Sequence, residues 1–143
     1  MINWTDTLSA KDYLALRSAA GWTALCEEQA QAGLDNTDHI LAGYDGEKIA
    51  AAARVLWDKG HVAYLCDVIV MPEYRGQGLG RLLVEDAIRW TRSKLRPGWR
   101  IKLVIISSKG KEPFYEKFGF HYRPNERFGA GMDRWVTADE AET

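Results

Sequence analysis

The sequence predicts a mixed α/β domain, single and continuous over residues 1–137, and three observations carry that prediction. Two strand-like runs, His39–Tyr44 and Lys48–Trp57, flank Asp45-Gly46, a dipeptide that favours tight hairpin turns. A short apolar run, Val68-Ile69-Val70, is hydrophobic at consecutive positions, as expected of a strand covered on both faces. The segment Leu79–Leu95 places Leu79, Leu82, Leu83, Ala87 and Trp90 at helical spacing, with Arg81, Glu85, Arg89 and Arg92 on the other side.

The remaining elements follow in order. Ile2–Thr5 reads as a short first strand. Ser9 is a suitable N-cap for a helix reaching Ala19, with Leu14 and Leu16 as apolar positions. Gly21 interrupts it, and a second helix is expected from Trp22 to Gly33. After the turn Asp58-Lys59-Gly60, a third strand runs from about His61 to Met71. Pro97-Gly98 stops the long helix, and Ile101–Ile106 forms another buried strand. A short helix from about Glu112 ends at Gly119. Final strands are expected near His121 and over Met132–Val136, followed by a disordered acidic tail, residues 138–143.

Composition narrows the function. A chain of 143 residues buries roughly 68–70% of its unfolded surface, enough for a core without staples. Nineteen basic and 20 acidic residues give a net charge of -1, so nucleic acid is not an expected partner, although a local basic patch can still serve a phosphorylated ligand. Cys26 and Cys66 form neither a disulfide framework nor a CxxC pair and suit a reducing compartment. His39, His61 and His121 lack metal-ligand spacing, and no metal is expected. The N-terminus has no signal-peptide pattern and no apolar run spans a bilayer, so a soluble, cytoplasmic protein without membrane contact is expected.

The glycines mark the functional site. The strand ending near Met71 is followed by Pro72-Glu73-Tyr74 and then by Arg75-Gly76-Gln77-Gly78-Leu79-Gly80, which opens the strongest helix. Glycine permits conformations a Cβ forbids and lets backbone approach a ligand closely. The first amides of a helix have no partners within it, and the helix dipole places positive charge there. A diphosphate satisfies those donors, with Arg75 and Arg81 adding charge-assisted hydrogen bonds. The spacing fits neither the dinucleotide fingerprint nor the P-loop. A glycine-rich turn that binds nothing is the alternative.

The pattern Val70-Met71-Pro72-Glu73-Tyr74-Arg75-Gly76-Gln77-Gly78-Leu79-Gly80 resembles motif A of the GNAT superfamily of N-acetyltransferases, and Phe114-Tyr115-Glu116-Lys117-Phe118-Gly119-Phe120 resembles its motif B. The two stand in the family's order and at a typical separation. The resemblance implies a mostly antiparallel central sheet flanked by helices, whose central strands splay to admit acetyl-CoA. It implies binding of acetyl-CoA by Arg75, Gly76, Gln77, Gly78, Gly80 and Arg81, with Ile69 and Val70 pairing the pantetheine arm through main-chain atoms. The reaction it implies is direct attack of a primary amine on the thioester, with a backbone N–H stabilising the oxyanion.

The same resemblance assigns roles to side chains. Tyr115 corresponds to the tyrosine that protonates the departing thiolate, a transfer from pKa near 10 to about 8.5 that costs about 2 kcal/mol; packing beside Phe118 and Phe120 is the alternative. Asp67 is a candidate general base, since burial beside the cofactor raises a carboxyl's pKa toward useful values. It can equally cap a loop, and many members use an ordered water; Tyr64 is a weaker candidate. Trp22 falls where the family forms its acceptor pocket, though an aromatic at a helix start also serves as core, and Trp57 and Arg54 carry the same ambiguity. The family's frequent Asn ahead of the motif B tyrosine is missing from Ser107-Ser108-Lys109-Gly110-Lys111, where Ser108 can substitute. The acceptor, a small molecule or peptide amine, is not chosen by any feature of the sequence. Homodimerisation is frequent in the family. A non-catalytic module that binds acetyl-CoA or a partner is the alternative function, and transfer of a longer acyl group a further one.

Overall fold

Ser9 shows how local sequence starts this fold: its hydroxyl accepts the Asp12 amide at 3.1 Å and caps the first helix, as its position predicts. The computed structural model describes residues 1–139. It falls into two compact units, Met1–Ile105 and a second from Ile106 on. The first unit runs β1 (Ile2–Thr5), α1 (Ala10–Ala19), α2 (Glu27–Asp35), β2 (His39–Asp45), β3 (Lys48–Trp57), β4 (Val62–Val70), α3 (Leu79–Ser93) and β5 (Lys102–Ile105). A 3-10 turn, Pro72–Tyr74, links β4 to the glycine loop. The second unit contains α4 (Glu112–Glu116).

The sheet has the order β1-β2-β3-β4-β5. Its first three pairings are antiparallel and the last is parallel, with α3 in the crossover from β4 to β5. The β2–β3 hairpin turns on Gly46 and Glu47, and Gly46 takes φ +63°. One face holds the core built by α1 and α2, where Leu8, Tyr13, Leu16, Ala30, Leu34, Ile49 and Ile69 cluster. Helix α3 packs on β3 and β4 through buried Leu79, Leu83, Val84 and Ala87. The run Ala50–Ala53 of β3 is entirely buried, and its small side chains suit a strand covered on both faces.

Two irregularities bear on the site. In the β3–β4 ladder Arg54 pairs with Asp67 but Val55 pairs with Leu65, leaving Cys66 unmatched as a bulge. Beyond it Ile69 joins the α1–α2 core cluster, whereas buried Ala63 and Leu65 lie outside that cluster. The β4–β5 ladder ends at Leu65↔Ile105, while β4 continues to Val70. All four residues of β5 are used in this ladder, so β4 outruns a shorter strand.

Five expectations are corrected. The strand expected to be buried over Ile101–Ile106 is β5, Lys102–Ile105, and none of its residues is buried: Lys102 and Val104 are exposed, Leu103 and Ile105 half-buried. The second helix begins at Glu27, not Trp22: Arg17 Nη2 holds the Thr23 carbonyl at 2.7 Å in an irregular segment, and Glu27 and Glu28 supply the acidic first turn. Leu82 is 45% exposed, because the stripe facing the sheet follows Leu79, Leu83 and Ala87 at four-residue intervals. No strand forms near His121: Asn125 takes the Arg127 and Phe128 amides on Oδ1 and donates Nδ2 to the Tyr122 carbonyl, closing a local turn in place of a ladder. Met132–Val136 is also without strand, and Met132, Trp135 and Val136 are exposed. The expected tail lies outside the described residues from position 140 on. No described helix is long and apolar enough to cross a membrane.

Candidate functional site

The loop between the 3-10 turn and α3 has the local geometry of an anion cradle. Arg75, Gly76, Gln77 and Gly78 are all exposed. Gly76 and Gly78 take φ +80° and +81°, a left-handed conformation that costs a side-chain-bearing residue about 1–2 kcal/mol. A Cβ built at Gly78 meets no protein atom within 4 Å, so the space in front of the helix start is open. Gly78 is also the N-cap of α3, and it brings no side chain to cap the helix; the first turn carries no acidic residue. The leading amides of a 15-residue helix thus face that space with the positive end of the dipole.

The flanking arginines are placed differently from one another. Arg75 Nε donates to the Val70 carbonyl at 3.2 Å, folding the exposed side chain back along the end of β4. Arg81 is exposed and makes a loose pair with Glu85, 3.4 Å away on the next turn, an interaction worth a few tenths of a kcal/mol. Leu79 is buried and anchors the loop, while Gly80 lies within the first turn. Ile69 and Val70 stand on β4 past the last β4–β5 pair, where no described strand pairs with β4 on that edge; the Val70 carbonyl accepts from Arg75 instead.

Asp67 occupies the same stretch of β4, but its side chain turns into the α1–α2 core. It is 6% exposed, and Oδ2 accepts from Arg54 Nε at 2.6 Å and from the Tyr13 hydroxyl at 2.8 Å. Arg54 lies over the Tyr13 ring at 5.0 Å and donates Nη1 to Thr37 Oγ1 at 2.7 Å. Burial, followed by the negative charge of Asp67, pushes the Tyr13 phenol above its ordinary pKa, so Tyr13 stays a donor. Three elements, α1, β3 and β4, and the α2–β2 connection are tied together through one carboxylate. The sequence analysis missed Tyr13; its signal was the three-residue spacing to Leu16 on the buried stripe of α1.

Trp22 packs against the apolar core rather than standing clear of it, and the Arg17 guanidinium lies 5.5 Å from its ring. Cys66, the bulged residue, is a half-buried thiol whose pKa is pushed up to about 12, first by desolvation and then by the Asp67 charge. In the second unit, Tyr115 is half-buried within α4, edge-on to Phe114 at 5.0 Å and to Phe120 at 6.1 Å. Burial raises its pKa, which keeps the phenol protonated at neutral pH. Gly119, at φ +92°, turns the chain just after this helix.

The match to the acetyltransferase (GNAT) family covers residues 5–120. The chain belongs to the GNAT family. It is 44% identical over 66 residues to glucosamine 6-phosphate N-acetyltransferase of Trypanosoma brucei brucei, a stretch that is 46% of this chain and 41% of that protein. Over 87 residues it is 46% identical to the chloroplastic GCN5-related N-acetyltransferase 2 of Arabidopsis thaliana, covering 57% of this chain and 32% of that one. These curated relatives are therefore longer than the part matched. A solved Staphylococcus aureus protein of unknown function, described as a probable acetyltransferase, superposes with TM-score 0.82 at 27% identity, covering 94% of this chain and all of that one. The five-stranded, mostly antiparallel sheet flanked by helices is the architecture of this GNAT family.

Proposed function

We propose that this GNAT protein is an acetyl-CoA-dependent N-acetyltransferase acting on a primary amine. One observation carries the reading: an exposed glycine loop with two left-handed residues opens α3 with neither a side-chain cap nor an acidic first turn, directly after a strand that outruns its neighbour. The loop suits a diphosphate and the free edge of β4 suits an extended amide-bearing arm, which together are the two ends of a CoA handle. When bound, acetyl-CoA supplies the activated acyl thioester.

In this reading Gly76, Gln77, Gly78 and Gly80 present backbone amides to phosphate oxygens, and Arg75 and Arg81 screen the charge. Ile69 and Val70 pair the pantetheine arm by their main chain. Tyr115 donates its phenolic proton to the leaving sulfur, and the burial that raises its pKa keeps that proton in place until it is needed. Asp67 takes a positioning role: accepting a proton would break its pair with Arg54, and disrupting a buried pair costs roughly 3–5 kcal/mol. Solvent then receives the proton of the amine. Trp22 borders the acceptor, and Arg17 holds its ring in place. The family match, residues 5–120, includes residues of both compact units.

The test is release of free CoA thiol from acetyl-CoA across a panel of amines, run alongside calorimetry of acetyl-CoA binding. Turnover with at least one amine is expected. Tight binding with no turnover on any amine favours a non-catalytic acetyl-CoA-binding module, and no binding at all removes the reading.

A further inference from the structure

The far end of α3 from the glycine loop carries a second charged surface. Residues 89–102 contain six Lys or Arg among 14 and no Asp or Glu, whereas the rest of the chain holds seven more acidic than basic side chains. The near-neutral net charge therefore averages two opposed regions. Helix α3 has 15 residues and a length of about 22 Å at 1.5 Å per residue, so the two sites do not overlap.

The backbone builds this surface rather than leaving it as a loose tail. The Lys94 and Leu95 amides bond to the Thr91 and Arg92 carbonyls and close the helix. Arg96-Pro97-Gly98-Trp99 then forms a tight turn: the Trp99 amide reaches the Arg96 carbonyl at 2.9 Å, Pro97 presets the first corner and Gly98 takes φ +82°. That turn places the Arg96 guanidinium 5.0 Å from the Trp99 ring. The Lys102 amide bonds to the His61 carbonyl and fastens the far end to the sheet.

Arg92, Lys94, Arg96 and Arg100 are exposed and none forms an ion pair among the described residues. Three of the four are arginines, whose planar forks suit phosphate oxygens. Trp99 remains 42% exposed and Leu95 39%, two apolar side chains set among the four cations. An aromatic ring among unpaired arginines provides a stacking platform beside a phosphate track. We propose that the Arg92–Arg100 surface binds single-stranded nucleic acid through its phosphates, with a base stacked on Trp99.

The test is fluorescence anisotropy of a labelled single-stranded oligouridine titrated with the full chain at low and moderate salt. Binding is expected to weaken with salt, with a log-log slope of roughly -3 if four phosphates are engaged. Arg92→Glu/Arg96→Glu is expected to weaken binding at least about tenfold, two phosphate contacts being replaced by repulsion. Trp99→Ala is expected to weaken it roughly tenfold without changing the slope, because stacking is not ionic. All substitutions are at exposed positions, and Arg100→Glu serves in place of the double variant if its melting temperature falls. The proposal is overturned if the unaltered protein does not bind at low salt, if the charge reversals leave affinity unchanged, or if Trp99→Ala binds as tightly as the parent. It is equally overturned if phosphatidylserine vesicles or a polyglutamate peptide compete as well as the oligonucleotide, since the surface then reads charge alone.

Discussion

Arg54 Nε and Asp67 Oδ2 lie 2.6 Å apart with both side chains largely shielded from water, directly opposite each other across the β3–β4 ladder. The bulge at Cys66 falls beside this pair, and Tyr13 closes it from α1. A buried pair of this kind adds little net stability over apolar residues, yet removing one member strands the other charge. Arg54→Met is accordingly expected to destabilise the protein by roughly 3–5 kcal/mol in urea unfolding. Arg54→Met combined with Asp67→Leu should recover most of that loss. A single-variant loss below about 1 kcal/mol would mean that the pair does not tie these strands together.

The same pair separates two roles for Asp67. As a positioning residue, Asp67→Asn lowers turnover and stability together and leaves the shape of the pH–rate profile unchanged below neutrality. A general base would instead take its ascending limb with it when removed. A profile that loses that limb in Asp67→Asn restores the base assignment.

Gly78 joins backbone strain to ligand space. At φ +81° any side chain costs about 1–2 kcal/mol, so Gly78→Ala and Gly78→Val should both lower the unfolding free energy by that order. Because a Cβ there meets no protein atom, packing adds nothing further. The added bulk fills the space assigned to phosphate, and calorimetry should show acetyl-CoA binding abolished in Gly78→Val. Unchanged affinity in that variant would falsify the loop assignment.

How much of this was legible in the sequence depends on where the partners of each group lie. Ser9 and Gly78 act through their own neighbours and start α1 and α3 where the local pattern predicts; the hairpin turn falls one residue late, on Gly46 and Glu47, and α4 ends at Glu116, short of Gly119. The glycine loop was readable for the same reason: strand, loop and helix are contiguous. Tyr13 and Asp67 are 54 residues apart, and no local pattern announces that one donates to the other. Trp22 failed as a helix start because the Arg17 side chain, not local propensity, fixes the Thr23 carbonyl. Near His121, Asn125 offered the backbone a local alternative to pairing, and Met132–Val136 found no partner strand among the described residues.

The two thiols should differ sharply in reactivity. Cys66 is pushed up to about 12 by burial and by Asp67, so at pH 8 only about one thiol in ten thousand is thiolate. Cys26 is exposed. Brief treatment of the folded protein with iodoacetamide should add one label, mapped to Cys26 by mass spectrometry, and a second only after unfolding. Because the folded pKa lies above that of the unfolded thiol, the stability Cys66 contributes is complete below about 8.5 and is lost as pH climbs toward 12. Equal labelling of both cysteines in the folded state contradicts the burial of Cys66.

Tyr115 gives the most direct trial of the chemistry. Burial alone raises its pKa; no charged neighbour contributes. The phenol therefore remains protonated through the whole range in which an amine acceptor becomes a free base, and the rate should rise with pH without a falling limb until above 10. Tyr115→Phe keeps the edge-on packing with Phe114 and Phe120 and removes only the hydroxyl, so stability should change by less than about 1 kcal/mol. Turnover should fall by about 10²–10⁴, the usual contribution of a positioned acid, while acetyl-CoA affinity stays within a few-fold of the parent. Equal turnover in Tyr115→Phe removes the residue from the mechanism. Loss of acetyl-CoA binding together with turnover moves it from proton donation to cofactor binding.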